Sequence, residues 1–137
     1  MKDFTPYEEA LTLEELGFDE DCLGAYIRKR SNLPVQDLSI GMYNNSDLME
    51  YDSDSCVAPL YQQAFRWFRE KYGLHGHLDI EIPKQHESYY RIVINDTSNS
   101  RGWLYTTHQY RDKVVISGHE EAELACLKKL IEIVKAT

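Results

Sequence analysis

Apolar residues recur every three or four positions between Thr5 and Gly17, with glutamates on the opposite side, which is the pattern of an amphipathic helix. Thr5 precedes Pro6, and Glu8 follows it by three residues, so we predict a capping box at the start of this helix. Glycine often ends a helix because it adopts the left-handed conformation without strain. The pattern therefore predicts a first helix that stops at Gly17.

A second helical pattern opens near Pro59 and is predicted to stop at Gly73. At 100° per residue, its apolar side chains cover an arc of roughly 160°, which is wide enough to contact two neighbouring elements. Trp67 lies at the edge of this arc. We therefore regard Trp67 as a candidate for contact with a partner.

A third helical pattern begins at Ser117, the predicted N-cap of a second capping box with Glu120, and runs to about Lys135. Glutamates in its first turn and lysines near its end complement the helix dipole. Its apolar face is broad enough to lie across a sheet. That face comprises Ala122, Cys126, Leu127, Leu130, Ile133 and Val134.

Apolar and polar residues alternate with a period of two in other segments, which predicts strands. Residues 22–28 and 36–43 are predicted to form a hairpin. Three or four further antiparallel strands are predicted, the first of them ended by Pro83: Leu78–Ile82, Tyr89–Ile94, Trp103–Thr107 and Val114–Ser117. The order α-β-β-α-β-β-β(-β)-α predicts an α+β fold, a single domain over residues 1–137 with helices on one face of an antiparallel sheet.

Charge divides the chain unevenly, although the formal net charge is -8. Residues 1–57 carry 13 acidic and 4 basic groups, a net of -9, whereas residues 58–137 carry 10 and 11, a net of +1. An acidic field disfavours general attraction to nucleic acid or anionic membrane and suits a basic partner. The densest acidic cluster lies in a turn-rich stretch, residues 44–56, that is predicted to be an exposed loop. Its members are Asp47, Glu50, Asp52 and Asp54.

The sequence predicts a cytoplasmic protein. It has no apolar run near the roughly 20 residues that a membrane span needs, and its start lacks the apolar region of a signal peptide. Cys22, Cys56 and Cys126 are odd in number and widely spaced, which fits reduced thiols better than a disulfide framework.

Motifs that carry chemistry are weak in this chain. It contains no phosphate-binding loop, dinucleotide fingerprint or nucleophile elbow. His75, His77 and Cys56 would supply three metal ligands, but the spacing is not that of small zinc sites, and a turn after Gly73 explains the two histidines. Cys56, beside a predicted helix start, is the one thiol that a helix dipole is placed to activate. We predict no catalytic residues, cofactor or metal.

The second part of the chain interleaves basic and aromatic residues, which suits a sheet surface on which bases stack. Arg91, Arg101, Trp103 and Arg111 represent this pattern, although core aromatics and solvated charges on alternate faces give the same one. The order α-β-β-β-α over residues 59–135 resembles the double-stranded-RNA-binding domain in element order alone. Where that family carries lysines, this chain has glutamates: Glu120, Glu121 and Glu123.

Three segments carry a family resemblance: residues 17–26 (GFDEDCLGAY), 60–75 (LYQQAFRWFREKYGLH) and 120–131 (EEAELACLKKLI). They resemble short uncharacterised proteins of Bacteroides-type gut bacteria and their phages, including crAss-like phages. The resemblance implies a mobile-element setting and no assigned catalytic residues. Small phage proteins often act by binding host proteins, which agrees with an acidic surface facing a basic target.

The leading hypothesis is a non-enzymatic protein-binding module. Its acidic surface, represented by Asp47, Glu50, Asp52 and Asp54, would engage a basic host or phage protein, with Trp67 as a further candidate for the contact. The alternative is a nucleic-acid-binding module that uses Arg91, Arg101, Trp103 and Arg111. A small hydrolase or deaminase comes third.

Overall fold

The computed structural model describes residues 2–30, 32–34, 37–84, 87–98, 105–106 and 118–136. It confirms an α+β fold in which helices and antiparallel strands are interspersed along the chain. The described strands form two three-stranded sheets, rather than the one sheet predicted from the sequence. The chain divides into two compact units, Met1–Ala64 and Phe65–Thr137, called here unit 1 and unit 2.

Unit 1 contains one sheet and the helix that precedes it. Its elements are α1 (Tyr7–Glu15), β1 (Cys22–Tyr26), β2 (Ser39–Tyr43), a 3₁₀ helix (Asn45–Leu48) and β3 (Cys56–Val57). The strand order is β2-β1-β3, and both pairings are antiparallel. The predicted hairpin between β1 and β2 is therefore confirmed. The short strand β3 was not predicted, and it pairs with β1 through Ala25 and Val57.

The predicted end of α1 is confirmed. Gly17 has a φ of 101°, and its N–H donates to the carbonyl of Glu14 at 3.0 Å. The N–H of Phe18 donates to the carbonyl of Leu13 at 2.9 Å. Together these two bonds form a Schellman motif, in which the side chains of Leu13 and Phe18 are both buried.

Both predicted capping boxes are wrong. The N-cap of α1 is Pro6, with no side-chain hydrogen bond, because the backbone of Thr5 is fixed elsewhere. The N–H of Thr5 donates to the carbonyl of Pro59 at 2.9 Å, its carbonyl accepts from the Tyr26 hydroxyl at 2.8 Å, and its side chain is buried. The last helix has Gly118 as its N-cap, which offers no side chain to cap with, and Ser117 lies outside the described residues.

Unit 2 is built around the second sheet. The helix α2 (Tyr61–Tyr72) starts in unit 1 and ends at Gly73, whose φ of 68° confirms the predicted stop. The remaining elements are β4 (Leu74–Lys84), β5 (Glu87–Asp96), β6 (Tyr105–Thr106) and α3 (His119–Lys135). The strand order is β4-β5-β6, all antiparallel. The predicted strand Val114–Ser117 lies outside the described residues.

Two predictions about β4 are wrong. The strand begins at Leu74, directly after the glycine, so His75 and His77 lie in a strand and not in a turn. It also continues through Pro83 to Lys84, with an irregular register between Glu81 and Lys84. Among the described strands β4 lies at the edge of its sheet, where a proline is tolerated.

The helix α3 packs on β4 and β5 through the predicted apolar face. At Gly76 in β4, an added Cβ atom would lie 2.9 Å from the Cys126 sulfur and 3.0 Å from a methyl carbon of Leu130. The missing side chain therefore lets α3 approach the sheet closely. Ile94, opposite Gly76 in the register, is fully buried, as are Cys126 and Leu130.

Candidate functional site

The acidic stretch of residues 44–56 is not simply the exposed loop predicted from the sequence. It contains the 3₁₀ helix and β3, and Leu48 and Cys56 are buried within it. The side chain of Asn44 accepts from the N–H of Asp47 at 3.0 Å, and the carboxylate of Asp47 accepts from the N–H of Asn44 at 3.0 Å. This is a capping box, so Asp47 has a structural role although it is exposed.

Two more members of the acidic cluster hold this stretch to the chain after β1. Nη1 of Arg28 lies 2.8 Å from Oδ2 of Asp54. Asp52 accepts from the N–H of Asp54 at 3.1 Å, and its own N–H donates to the carbonyl of Arg28 at 2.9 Å. Both carboxylates are partly buried, whereas Glu50 is exposed. Three members of the predicted cluster therefore help to hold this stretch in place, and Glu50 lies at the surface.

The acidic surface of unit 1 is wider than this cluster. Residues 58–64 are uncharged, so unit 1 carries all 13 acidic and 4 basic groups counted above. The boundary in charge thus coincides with the boundary between the units. The exposed acidic residues are Asp3, Glu8, Glu15, Asp19, Asp21, Asp37, Asp47 and Glu50. The exposed basic residues described in unit 1 are Lys2, Lys29 and Arg30.

Exposed apolar side chains accompany these charges. In β2, which is at the edge of its sheet, Ile40 is 57% exposed and Met42 is 67% exposed. Leu23 in the neighbouring strand β1 is about half exposed, and Met49 is almost fully exposed. Sequence reasoning missed these residues because strand alternation alone does not say which face is covered.

Trp67 does not belong to the surface that the sequence predicted for a partner. The residue is 6% exposed, and its ring makes edge-to-face contacts with Phe68 and Tyr72, at centroid distances of 5.1 Å and 5.5 Å. The ammonium of Lys71 lies 4.9 Å from the ring centroid. The apolar arc of α2 therefore extends further around the helix than the predicted edge, and Trp67 is a packing residue.

The basic sheet surface is represented among the described residues by Arg91 in β5. Its Nη2 lies 2.8 Å from Oδ2 of Asp79, and its Nη1 lies 3.3 Å from Oε1 of Glu81. Nε2 of His77 is 3.7 Å from the other Asp79 oxygen. Two carboxylates thus balance the charge that was expected to meet phosphate. Arg101, Trp103 and Arg111 lie outside the described residues.

Cys56, the thiol considered for activation by a helix dipole, is not placed for it. The residue lies in β3 and not at a helix start, and its side chain is fully buried. Burial, followed by the nearby Glu14 and Cys22, raises the pKa of this thiol to about 12. Burial likewise raises the pKa values of Cys22 and Cys126 to about 12. All three are free thiols that stay protonated at neutral pH.

Metal ligands do not gather in the part of the chain that the structure describes. No group of three or more histidine, cysteine, aspartate or glutamate side chains there is arranged to hold an ion. His75 and His77, the candidate ligands, lie two positions apart in β4, and Cys56 lies in β3.

Unit 2 contains a pocket of about 650 Å³ that sequence reasoning did not predict. Its lining combines aromatic, apolar and charged side chains from α2, the sheet and α3. The residues include Tyr72, Leu74, Asp96, Tyr105, Lys129 and Glu132. No local motif identifies such a site, because these residues come from four separate segments of the chain.

Comparison of the chain with protein-family models, with curated proteins and with solved structures found no match. No residue role is therefore carried over from a relative. Among the described helices, none combines the length and the apolar character needed to cross a bilayer.

Proposed function

We propose that unit 1 is a non-enzymatic module that binds a basic surface on a partner protein. The observation that carries the proposal is the coincidence of charge and structure: the excess of acidic groups lies in unit 1, and eight of them are exposed against three exposed basic residues. With 13 acidic and 4 basic groups, unit 1 carries an excess of nine acidic groups. A field of this sign attracts and orients a basic partner.

The acidic groups alone would raise the association rate and the selectivity of binding more than they would raise the affinity. An exposed ion pair contributes about 0.2–1 kcal/mol and is screened by salt, whereas complementary charge raises association rates by orders of magnitude. Stable binding requires apolar burial, worth about 25 cal/mol per Å². Ile40, Met42, Leu23 and Met49 supply exposed apolar area in the same unit. The proposed surface therefore pairs apolar contacts with an acidic surround.

The partner we propose is a basic host or phage protein: the excess acidic charge of unit 1 favours a basic surface, and the resemblance of the three segments implies a mobile-element setting. The setting we propose is the cytoplasm, supported by three free, buried thiols that a reducing compartment maintains. The nucleic-acid alternative ranks lower, because Arg91 is already bonded to Asp79 and Glu81.

A matched pair of charge reversals tests the proposal. The tagged full chain is used to recover partners from host cells, and each recovered basic protein is then titrated as a purified component. In the test variant, Asp19, Asp37 and Glu50 are changed to Lys; all three are exposed in unit 1. In the control, Glu70, Glu120 and Glu121 of unit 2, also exposed, are changed to Lys, so the net charge changes equally.

We expect the unit 1 variant to lose affinity at least about tenfold, chiefly through slower association at low salt, and the control to retain most of it. Circular dichroism establishes that both variants are folded. Equal losses in the two variants would show that net charge, and not the surface of unit 1, governs binding. Recovery of no partner whose binding depends on these acids would refute the proposal.

A further inference from the structure

The strand β2 of unit 1 carries two apolar side chains on one of its faces, Ile40 and Met42, each more than half exposed. The other face is occupied by Tyr43. Its hydroxyl lies 2.8 Å from the hydroxyl of Ser39, and a Cβ atom added to Gly41 would lie 3.2 Å from a carbon of its ring. Because Tyr43 lies along its own strand in this way, the face of Ile40 and Met42 is the one that is open to a partner.

The backbone of β2 is open on one side. Its sheet has the order β2-β1-β3, so among the described strands none pairs with the outer side of β2. Alternate residues of an edge strand direct their N–H and C=O groups away from the neighbouring strand, where a further strand can bond to them. The edge is therefore a template for an extended segment of another protein.

Edge strands of natural proteins are commonly protected from such pairing by a lysine, another charged side chain or a proline. The sequence of β2, SIGMY, contains none of these, whereas β4 of unit 2 contains Pro83 and Lys84. The register of β2 with β1 shifts between Cys22 and Gly24. Such an irregularity shortens the regular part of the edge, so we expect an added strand to be short.

The charge around β2 indicates which kind of strand it would accept. Residues 31–57 contain five acidic residues and no basic one. Asp37 precedes the strand by two positions and Asp47 follows it by four, and both are exposed. Asp21, also exposed, directly precedes β1 at the end where β1 pairs with Tyr43. Acidic residues therefore lie near both ends of the edge, which favours a basic segment.

Four basic groups of unit 1 oppose this charge. Arg28 lies 2.8 Å from Asp54, and Lys2 belongs to the segment before α1. Lys29 and Arg30 are exposed in the connection that joins the end of β1 to the start of β2. The basic side chains of a partner are therefore best accommodated at the other end, where β2 finishes.

We propose that β2 accepts, as a further strand, an extended segment of the partner protein in which apolar and basic residues alternate. The apolar side chains contact Ile40 and Met42, and the basic ones lie near the acidic surround. This inference rests on the function proposed for unit 1 and specifies how the partner is held. A second copy of the chain is a poor occupant, because two units that each carry a net charge of -9 repel one another.

Three end-blocked peptides of equal length test the proposal with the full chain. The first alternates lysine and valine, and the second has glutamate in place of each lysine. The third is the first with methyl groups on two successive central amides, so that neither of its edges can form a regular ladder. We expect the first peptide to bind at least about tenfold tighter than either of the others, because it alone offers both the backbone hydrogen bonds and the complementary charge.

The site of binding is measured by titration of the backbone amides. The first peptide should produce its largest shifts in residues 39–43 and should slow the hydrogen exchange of amides there, because an added strand protects the edge. No shift at millimolar peptide, or largest shifts outside unit 1, would overturn the proposal. Equal binding of the first and the methylated peptide would overturn strand addition in particular.

A matched pair of substitutions locates the site. Ile40→Lys places a protecting charge on the edge strand and should weaken the lysine–valine peptide at least about fivefold. Ile80→Lys makes the same change in β4, where Ile80 is also more than half exposed, and should leave the affinity unchanged. Met42→Thr removes apolar area without adding charge and should weaken the peptide about threefold. Circular dichroism and the amide spectrum establish that each variant is folded.

The same variants separate this inference from the function proposed for unit 1. With a purified partner, a loss of affinity in the charge reversal of Asp19, Asp37 and Glu50 but not in Ile40→Lys would retain the acidic surface and overturn strand addition. No loss in either variant would overturn both. Self-association of the parent chain that Ile40→Lys abolishes, measured by sedimentation, would assign the edge to a second copy instead.

Discussion

The two units of the chain differ in the balance between their acidic and basic residues. In unit 2, basic side chains lie against carboxylates: Arg91 contacts Asp79 and Glu81, and Lys129 contacts Glu132. In unit 1, acidic groups outnumber basic ones by nine, and Arg28 already pairs with Asp54. Among the described residues, several basic groups of unit 2 are therefore paired with carboxylates, whereas unit 1 carries a large excess of acidic groups.

This difference distinguishes charged residues that stabilise the fold from charged residues that are candidates for binding a partner. Residues such as Asp54 and Asp79 neutralise a neighbour and orient a strand or loop, so their sign reveals little about a partner. Unit 1 carries nine more acidic groups than basic ones, so neutralising a neighbour does not explain its excess of negative charge. Unmatched like charges destabilise the unit that carries them, so they call for a functional explanation more than the paired ones do.

The largest expected effect tests whether each unit has a core of its own. Leu13 in unit 1 and Leu127 in unit 2 are both fully buried. Leu13→Ala and Leu127→Ala should each lower the free energy of unfolding by about 2–5 kcal/mol. Hydrogen exchange should speed up first in β1 and β3 for the former, and in β4 and β5 for the latter. A uniform increase across both sheets would show instead that the units unfold as one.

Structural features that depend on neighbouring residues were predicted from the sequence better than features that depend on distant ones. The stops at Gly17 and Gly73 were correct because a left-handed glycine ends a helix through bonds within one turn. The capping box at Thr5 was wrong because a distant carbonyl, that of Pro59, fixes its backbone. The strand β3 was missed because its two residues pair with Ala25 and Tyr26, about thirty positions away.

The candidate sites show the same limit. The charge boundary was visible in the sequence, since it depends on composition alone. The burial of Trp67 was not, because helical periodicity gives a direction and not the neighbour that covers it. The pocket needs Asp96, Tyr105 and Lys129 in one place, and only the pairing of β4, β5 and β6 under α3 creates that proximity.

A smaller effect compares the two arginines that hold strands or loops in place. Arg28→Ala removes the partner of Asp54 and takes the net charge of unit 1 from -9 to -10, whereas Arg91→Ala takes unit 2 from +1 to 0. Each substitution should lower the free energy of unfolding by about 1 kcal/mol at low salt. Added salt should restore more of the loss in Arg28→Ala, because screening relieves the repulsion among the remaining acids. Urea unfolding at low and high salt measures both; equal salt dependence would contradict the contrast drawn between the units.

The smallest expected effect on stability concerns Glu14 of unit 1, because burial disfavours the ionised form of its side chain. One carboxylate oxygen of Glu14 is buried without a hydrogen-bond partner, and burial, followed by the charge of Glu15, raises the pKa of Glu14 above its ordinary value of 4.5. An acid whose pKa is raised in the folded state stabilises the fold less as the pH rises through that pKa, because the folded form must then hold the charge. Glu14→Gln should therefore stabilise the protein at neutral pH by less than about 1 kcal/mol, after discounting for partial exposure.

The gain from Glu14→Gln should shrink as the pH falls toward 4.5, the ordinary value for glutamate, since a growing share of the glutamate is then protonated in the unfolded state as well as in the folded state. Thermal unfolding of the parent and the variant between neutral pH and that limit gives the difference directly. Glu15→Gln, at an exposed position on the same helix, is the matched control: it removes the same charge without relieving burial, so its gain should be smaller. If the two variants gain equally at neutral pH, repulsion within the acidic unit, and not desolvation of Glu14, sets the effect.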